Sequence, residues 1–398
     1  MKKKEEEVIH AGASEFVDNL IHSAIESHAS DIHLDPGRDT MQLRYRVDGV
    51  LYPVKTYPMS IQEEMAARVK VLAQLDITER RVPQDGHIEI KFKEKEYNLR
   101  VSTAPSVFGE AIVLRILNRE DILSKLDNLG FDQDQLVLIR ELIASPHGLI
   151  LNTGPTGSGK TTLMYSILDE LNEPSRNIIT LEDPVELEME NLRQIQINEV
   201  VNLTFANAVR AVLRQNPDII MLGEIRDADT GQMAFRAALS GILVFSTFHT
   251  YDVVGLVIRM IEMGVPRSVI AYGLTGVVST RLVRKVCTSC KEPYQLSESD
   301  RSLYANSNTP GNFQKGKGCD VCIGSGYAGR TGIFEIVAFN DDIRNGILEN
   351  IPNTQLRDII ARSRKKSLRH IALERAAQGV TTIEEVRKVI GSLSEETR

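Results

Sequence analysis

The residues whose types and spacing point most clearly to chemistry form a glycine-rich run at positions 154–162. The run fills every fixed position of the phosphate-loop pattern G-x-x-x-x-G-K-[ST], and its members are Gly154, Pro155, Thr156, Gly157, Ser158, Gly159, Lys160, Thr161 and Thr162. Glycines let the backbone N–H groups of such a loop surround an anion, while Lys160 neutralises phosphate charge and the Thr161 hydroxyl binds magnesium. The run therefore predicts a site for a nucleoside triphosphate with Mg²⁺.

The sequence on either side of this run has the context that the motif requires. Residues 147–153 are a short apolar segment that predicts a buried strand, and residues 160–171 predict a helix. A strand that leads through a glycine-rich loop into a helix directs the positive end of the helix dipole toward a bound phosphate.

An acidic residue closes a later apolar strand. Glu224 follows the apolar residues 219–222, at the position where P-loop proteins carry an acid that orients water or supports magnesium. An acid after an apolar strand is weak evidence by itself, but this strand belongs to the same alternating pattern as the phosphate loop. Glu224 is therefore a candidate catalytic residue.

Three more carboxylates follow the predicted strand at 177–181. They are Glu182, Asp183 and Glu186. Carboxylates so close together are costly unless they meet metal, water or basic partners, so we expect them at the nucleotide site. A solvated turn made rigid by Pro184 is the structural alternative.

His249 follows the next predicted strand, at 242–247. An imidazole there can contact the γ-phosphate or hold a water molecule, although a single histidine is more often structural. Its place at a neighbouring strand tip favours a function at the same site.

The four cysteines form two C-x-x-C pairs, Cys287 with Cys290 and Cys319 with Cys322. Two such pairs supply the four thiolates of a closed, tetrahedral zinc site. The loop between them is longer than in common zinc ribbons, but extra loop length costs little entropy. Zinc is favoured over disulfides because the cytosol keeps thiols reduced. A structural role is favoured over a catalytic one because no open coordination position is implied.

Length and composition narrow the class of protein. With 398 residues, 42% hydrophobic and 25% charged, the chain has the composition of a soluble globular protein with more than one core. Its apolar runs are too short to span a bilayer and its start lacks a secretory signal, so we expect a cytoplasmic location. The net charge of −7 argues against a protein that coats nucleic acid. A basic patch at 362–370 is interpreted as a solvated helix face, with anionic lipid or an acidic partner as the alternative.

The order of predicted elements indicates an α/β chain of several parts. Helices and strands alternate after residue 147, which implies right-handed βαβ units, a largely parallel sheet and a ligand at the carboxyl ends of its strands. The predicted parts are a charged tail (1–12), an α+β domain (13–120), a linker (121–130), a P-loop core (131–286), a tetracysteine zinc module (287–322) and a carboxyl-terminal strand with helices (323–398).

The ordered motifs together resemble those of one family, the type II secretion and type IV pilus assembly ATPases of the GspE/PilB group. The resemblance covers residues 13 to 385, nearly the whole chain. Besides the phosphate loop and the cysteine pairs, it rests on Ser30-Asp31-Ile32-His33, Arg44-Tyr45-Arg46-Val47-Asp48-Gly49, Pro83-Gln84-Asp85-Gly86, Leu181-Glu182-Asp183-Pro184-Val185-Glu186, Arg214-Gln215-Asn216-Pro217-Asp218, Gly223-Glu224-Ile225-Arg226-Asp227 and Arg281-Leu282-Val283-Arg284.

The resemblance implies a RecA-like P-loop ATPase domain whose nucleotide site is completed by arginines of the amino-terminal α+β domain. Matching positions nominate Arg100 and Arg115, with Arg81 a weaker candidate. Fixed guanidinium groups neutralise the charge of phosphoryl transfer and link the chemistry to domain movement.

The resemblance also implies roles and partners. Glu186 matches the residue assigned to water activation, Glu224 the Walker B acid, and His249 the second histidine of a histidine box. The implied protein is a cytoplasmic homohexamer that hydrolyses ATP with Mg²⁺ and contains Zn²⁺. It docks on an inner-membrane platform protein, associates with the membrane through partners, and has no expected direct contact with nucleic acid.

The chain departs from the family pattern at three positions. Ile242 stands where the family usually has a histidine, His87 where an arginine commonly follows Asp-Gly, and Tyr251 where an asparagine follows His-Thr. The phosphate loop and the carboxylates are intact, so hydrolysis is expected, while its rate and its coupling between domains or subunits are open. The chain is also expected to begin almost at the first nucleotide-site domain, without the amino-terminal module of many relatives.

Several functions compete on these observations. The leading hypothesis is an ATP-driven motor that assembles a pilus, a pseudopilus or a secretion apparatus. Within the same class, a competence pseudopilus motor for DNA uptake is an alternative, and a retraction motor is disfavoured by the cysteine pairs. A nucleic-acid-binding zinc protein with a vestigial ATPase is the alternative from another class, and the acidic composition argues against it.

Overall fold

The structure is a computed structural model that describes residues 13–118, 122–304 and 311–390. The chain divides into two compact units, Met1–Asp121 and Ile122–Arg398. The predicted charged tail at 1–12 and the first residue of the predicted linker, Asp121, lie outside the described residues. The other domain limits proposed from the sequence stay predictions.

Within residues 13–118, the first unit contains a six-stranded sheet and two α-helices. The strand order is β3-β2-β1-β6-β5-β4, and every neighbouring pair is antiparallel. In chain order its elements are α1 (Ala13–Glu26), β1 (Ala29–Pro36), β2 (Thr40–Val47), β3 (Val50–Pro58), α2 (Gln62–Leu72), β4 (Gln84–Phe92), β5 (Lys95–Ser106) and β6 (Gly109–Leu117).

Buried and exposed side chains alternate along the strands, and this alternation shows which face of the sheet packs against the helices. In β6, Ile112 and Leu114 are buried against the helices, and Arg115 between Leu114 and the next core residue points to the exposed side. β3 is an edge strand that pairs only with β2. Its prolines, Pro53 and Pro58, argue against a central strand but are tolerated at an edge.

The second unit contains a seven-stranded sheet in the order β15-β12-β7-β11-β10-β8-β9. Its pairs are parallel except that of β12 with β15. In chain order its elements are α3 (Gln133–Ile143), β7 (Gly148–Thr153), α4 (Lys160–Leu171), β8 (Ile178–Glu182), β9 (Arg193–Gln196), α5 (Phe205–Val212), β10 (Ile219–Leu222), α6 (Ala228–Leu239), β11 (Leu243–Phe248), α7 (Val253–Glu262), α8 (Arg267–Gly273), β12 (Leu274–Val286), β13 (Lys291–Pro293), α9 (Glu298–Tyr304), β14 (Gln314–Gly316), β15 (Tyr327–Ala338), α10 (Asp341–Leu348), α11 (Asn353–Ser363), α12 (Leu368–Ala377) and α13 (Ile383–Ile390).

Helices cover both faces of this sheet. Leu149 and Leu151 of β7 belong to a core shared with α5 to α8, while Ile150 belongs to a core shared with α3 and α4. All six residues of β7 are buried, as expected for a central strand of a parallel sheet. None of the helices in the described ranges is both long enough and apolar enough to cross a membrane.

Candidate nucleotide site and metal centre

Parallel pairing brings the carboxyl ends of four strands to one edge of the second unit's sheet. Thr153 of β7 pairs with Phe248 of β11, and Leu222 of β10 pairs with Ser246 of β11 and Leu181 of β8. The phosphate loop follows the carboxyl end of β7. The predicted acidic residues and the predicted histidine lie at or just after the carboxyl ends of β8, β10 and β11. These segments therefore lie side by side at the carboxyl ends of the strands, which is where α/β proteins bind their ligands.

The phosphate loop has the backbone that its glycines permit. Gly159 precedes α4 in a left-handed conformation, with φ +93°, which a side chain would strain. A Cβ atom on Gly154 would lie 2.6 Å from both Ser158 Oγ and the Thr280 carbonyl oxygen, so only glycine fits there. Thr161 lies exposed in the first turn of α4. The loop therefore presents the start of α4, as a phosphate site requires.

The side chain of Lys160 bonds to the backbone of the phosphate loop. Its ammonium group donates to the carbonyl oxygens of Gly154 at 2.8 Å and Pro155 at 2.9 Å. Burial lowers the pKa of Lys160 to about 8; Glu224 opposes this shift and the Arg281 guanidinium adds to it. The phosphate loop of this protein therefore holds an ammonium group that titrates close to physiological pH.

The carboxylates at the end of β8 and in the acidic loop after it (residues 183–188) differ in their surroundings. Glu182 is buried, and its oxygens accept hydrogen bonds from Thr180 Oγ1 at 2.6 Å, Gln194 Nε2 at 3.1 Å and the Tyr165 hydroxyl at 2.5 Å. Glu186 is only partly buried and lies four residues further along the loop. Glu182 is thus engaged in holding the fold, whereas Glu186, which the resemblance assigned to water activation, lies closer to the protein surface.

Glu224 lies at the centre of a charged network. One of its oxygens pairs with Arg226, whose Nε donates at 2.6 Å, and the other lies 3.0 Å from His249 Nε2. Arg226 also reaches Asp183 in the acidic loop, at 3.3 Å. Burial raises the pKa of Glu224, but the bonds from Arg226 and His249 outweigh it, and the net effect is a pKa below the ordinary carboxyl value. The network therefore joins the ends of β8, β10 and β11 around an ionised Glu224.

The loop that carries His249 is itself tied to the phosphate loop. The Thr153 hydroxyl donates to the Thr250 carbonyl oxygen at 2.8 Å and accepts the Thr250 N–H at 3.1 Å. The buried Arg281 guanidinium donates to the Tyr251 carbonyl oxygen at 2.9 Å. These bonds fix the imidazole where it meets Glu224.

In the first unit, Arg100 and Arg115 are directly opposite each other on β5 and β6. Asp31 is opposite Arg115, and its buried carboxylate accepts the Nε–H of Arg115 at 2.9 Å. Arg46 and His87 extend this row on the outer strands, opposite Asp31 and Arg100. Residues opposite each other on paired strands share one face, so the row is a strip of three guanidinium groups around one carboxylate. The strip brings together the two arginines that the resemblance nominated.

Arg81, the weaker candidate, lies apart from this row in the loop before β4. Its side chain is 88% exposed and its guanidinium pairs with Glu79 at 2.7 Å. Arg81 is thus occupied by a local, exposed ion pair.

Ile242 lies at the amino end of β11, whereas the phosphate loop follows the carboxyl end of the neighbouring strand β7. It immediately precedes β11, whose six residues span about 20 Å. It is 9% exposed within the core, and its carbonyl oxygen accepts the N–H of Gly148 at the amino end of β7. The structure therefore favours a packing role for Ile242 over a role in the catalytic site.

Ile242→His should lower the melting temperature without raising ATP turnover, because an imidazole in this core loses its hydration without gaining a partner. Ile242→Val is the matched control, since it keeps an apolar side chain and should cost only about 0.5 to 1.5 kcal/mol. A histidine variant with faster turnover and an unchanged melting temperature would show that position 242 acts in catalysis.

The four cysteine side chains form one cluster. Their sulfur atoms all lie within 4.8 Å of one another, with 3.9 Å between Cys287 and Cys319, 3.8 Å between Cys290 and Cys322, and 3.7 Å between Cys319 and Cys322. A tetrahedral site with Zn–S bonds of about 2.3 Å requires sulfur atoms about 3.8 Å apart. All four thiols are free of disulfides. The donor set therefore fits a structural zinc ion.

Backbone groups support this cluster as a second layer. The N–H groups of Cys319 and Gly326 both donate to Cys322 Sγ, each at 3.2 Å. Burial raises the pKa of the Cys322 thiol, but these N–H bonds, together with hydrogen bonds to the Cys319 and Cys290 side chains, outweigh it and lower that pKa to about 7. Hydrogen bonds of this kind stabilise the thiolate that binds a metal.

Purified protein should contain about one zinc ion per chain. Cys287→Ser should lower zinc content and melting temperature while leaving the affinity for ATP within about twofold, because the cysteines lie outside the phosphate loop. Ser289→Ala, an exposed change between two of the cysteines, is the control and should retain the metal. Metal analysis that finds less than about half an equivalent in fresh protein would contradict the zinc assignment.

Two residues of this site had no role in the sequence analysis. Arg226 stood in a quoted motif, but its bridge between Asp183 and Glu224 depends on the distance between two strand ends. Tyr165 stood in the helix predicted at 160–171 with no role of its own. The signal that could have found Arg226 is its place just after the buried strand β10; no local signal points to Tyr165, which lies inside α4.

The sequence of the chain is similar to those of known secretion and pilus proteins. The chain matches the family described as Type II/IV secretion system protein over residues 6–388. It is 41% identical over 374 residues to type II secretion system protein E of Pseudomonas aeruginosa, covering 94% of this chain and 74% of that protein. It is 42% identical over 383 residues to the type IV pilus assembly ATPase PilB of Thermus thermophilus, covering 96% of this chain and 43% of that protein.

A solved structure extends the comparison to the fold. The pilus retraction motor PilT with bound ADP is similar at a TM-score of 0.62 and 27% identity, covering 93% of this chain and 95% of that chain. These similarities confirm the predicted α/β fold class, in which an α+β domain precedes a RecA-like ATPase domain with a tetracysteine cluster and a helical carboxyl end.

Proposed function

The chain belongs to the type II/IV secretion system protein family and is an ATP-hydrolysing enzyme, and from this premise we propose that it powers the assembly of a type IV pilus or a type II secretion pseudopilus. The observation that carries the proposal is the meeting of the phosphate loop, the acidic loop and Glu224 at one edge of the sheet. ATP with Mg²⁺ is the ligand that such a constellation suits.

Each group at this edge has a task in phosphoryl transfer. Lys160 and the N–H groups of the loop hold the phosphates, and Thr161 would hold Mg²⁺, which neutralises charge on the transferring phosphoryl group. Glu186 would accept a proton from the attacking water, and Glu224 would orient that water and support the Mg²⁺ that Thr161 would hold. His249 is positioned by Glu224 and the Thr250 anchor to contact the γ-phosphate.

Arg100 and Arg115 are proposed to contact the phosphates of ATP in a homohexamer. The support is their shared strip on the first unit's sheet, where Arg100 lies opposite Arg115 and the Asp31 carboxylate fixes Arg115. Guanidinium groups held in this way stabilise the charge of the transition state. Dependence of turnover on self-association follows from the proposal.

The tetracysteine cluster favours an assembly motor over a retraction motor, following the sequence resemblance. The same resemblance suggests a platform protein at the inner face of the cell membrane as the partner, with membrane association only through partners. A competence pseudopilus for DNA uptake would use the same chemistry, and it remains the second candidate machine.

Deletion of the gene, with return of either the wild-type chain or Lys160→Ala, tests the proposed machine. Surface pili and secreted protein should be lost in the deletion, restored by the wild-type chain and not by the variant. Sedimentation of the purified protein with ATP should show a hexamer.

The other machines give different results in the same strains. Loss of DNA uptake with normal pili and secretion would establish the competence alternative. An excess of surface pili in the deletion strain would identify a retraction motor and overturn the proposal.

A further inference from the structure

Tyr165 joins the phosphate-loop helix to the acidic loop. It lies on α4, five residues after Lys160, and its side chain is 1% exposed. Its hydroxyl donates to Glu182 Oε2 at 2.5 Å and accepts the backbone N–H groups of Glu186 and Leu187, each at 3.2 Å. A single buried oxygen atom therefore fixes the acidic loop at three points.

The hydroxyl has no spare bonding capacity. A phenol O–H has one donor and two acceptor positions, and all three are used here. Burial, with the Glu182 carboxylate nearby, raises the pKa of Tyr165 above its ordinary value, so the group stays a donor. Glu182 is held in turn by Thr180 and Gln194. The acceptor of the Tyr165 proton is thus itself fixed, and the arrangement resists rotation.

The position of Tyr165 on α4 connects the phosphate loop with the backbone of Glu186. Tyr165 is about one and a half helical turns from Lys160, within the same rigid helix. One of the two N–H groups that it accepts belongs to Glu186 itself. The distance between the phosphate loop and the backbone of Glu186 is therefore set through one side chain.

We propose that Tyr165 is a positioning residue for Glu186, holding the acidic loop so that the Glu186 carboxylate meets the water that attacks ATP. This proposal rests on the proposed role of Glu186. Removal of the hydroxyl leaves two N–H groups without their acceptor, and the loop gains freedom at the residue whose placement matters. Misplacement of a catalytic group lowers the rate of the chemical step while substrate binding persists.

Tyr165→Phe keeps the ring in the core and removes only the hydroxyl, so the full chain should fold. With Mg²⁺ and ATP, the variant should show kcat lowered about tenfold and KM changed less than about twofold. Tyr45→Phe is the matched control. Tyr45 is also buried, and its hydroxyl donates to the Leu20 carbonyl oxygen at 2.8 Å in the first unit. Its loss should leave kcat within about twofold.

A double-mutant cycle separates positioning from general stability. If Tyr165 acts through Glu186, then Tyr165→Phe combined with Glu186→Gln should turn over within about twofold of Glu186→Gln alone, although the melting temperature falls in both backgrounds. A residue that only stabilises the fold would not show this loss of effect on kcat.

Three results would overturn the proposal, and they are distinct. A kcat for Tyr165→Phe within twofold of wild type would show that the hydroxyl does not matter for the rate. A double variant about tenfold slower than Glu186→Gln would show that Tyr165 acts independently of Glu186. Normal turnover of Glu186→Gln would remove the proposed role of Glu186, and Tyr165 would then have no catalytic group to position.

Discussion

Lys160→Ala should lower ATP turnover by about a thousandfold or more, the largest effect that we expect from any single substitution. The ammonium group is the one buried cation placed inside the phosphate loop among the described residues. Alanine removes charge stabilisation of the transferring phosphoryl group, and neither the loop N–H groups nor Mg²⁺ can replace it. The variant should fold normally, because Lys160 bonds only to loop carbonyls.

Steady-state hydrolysis with Mg²⁺ and ATP measures this effect. Lys91→Ala is the control, since Lys91 is an exposed lysine paired with Glu94 on the first unit and should not alter the rate. Hydrolysis by Lys160→Ala at the wild-type rate would overturn the assignment of the phosphate loop as the catalytic site.

The same residue gives ATP binding a dependence on pH. Burial lowers the Lys160 pKa to about 8, and bound phosphate favours the charged form, so binding takes up a proton above pH 8. Affinity should be constant below that pH and about tenfold weaker at pH 9 than at pH 7. Lys160→Arg does not titrate in this range and should bind with a flat profile. Calorimetry in two buffers of different ionisation enthalpy detects the proton, and a flat wild-type profile would contradict the lowered pKa.

The sequence predicted the elements that local pattern controls. The helix predicted at 160–171 is confirmed as α4 because its apolar period and the preceding glycines act within one short segment. The sequence placed a strand within residues 323–398, and the structure shows it as β15, Tyr327–Ala338. β15 extends because it pairs antiparallel with β12, which lies far away in the chain. Periodicity carries no information on such a partner, so the length of the strand could not be inferred.

At the candidate site too, the sequence predicts local features but not the contacts between distant elements. The sequence placed Glu182 and Glu186 together in one acidic cluster, and it could not show that the Glu182 side chain is held inside the fold. That distinction comes from Tyr165 and Gln194, which reach Glu182 from other elements. Local motifs thus predict which strand ends carry chemistry, whereas the partners of each side chain depend on tertiary packing.

Glu224→Gln should abolish most turnover while ATP binding persists. The bonds from Arg226 and His249 hold the pKa of Glu224 below its ordinary value, so at pH 7 the substitution removes a full negative charge. Turnover should fall about a hundredfold or more, because an amide cannot orient and polarise water as a carboxylate does. The affinity for ATP should stay equal or become tighter, since one negative charge near the phosphates is lost.

Nucleotide titration and steady-state hydrolysis of the same preparation distinguish catalysis from structure. Glu262→Gln is the matched control, because Glu262 is an exposed carboxylate at the end of α7 that pairs with Arg259. It should change neither quantity. Weaker ATP binding by Glu224→Gln together with a lower melting temperature would mean that the network of Asp183, Arg226 and His249 collapses without the carboxylate, and Glu224 would then be a structural residue. Retained binding with lost turnover, against an unchanged melting temperature, is the result that requires Glu224 to act on the reaction itself.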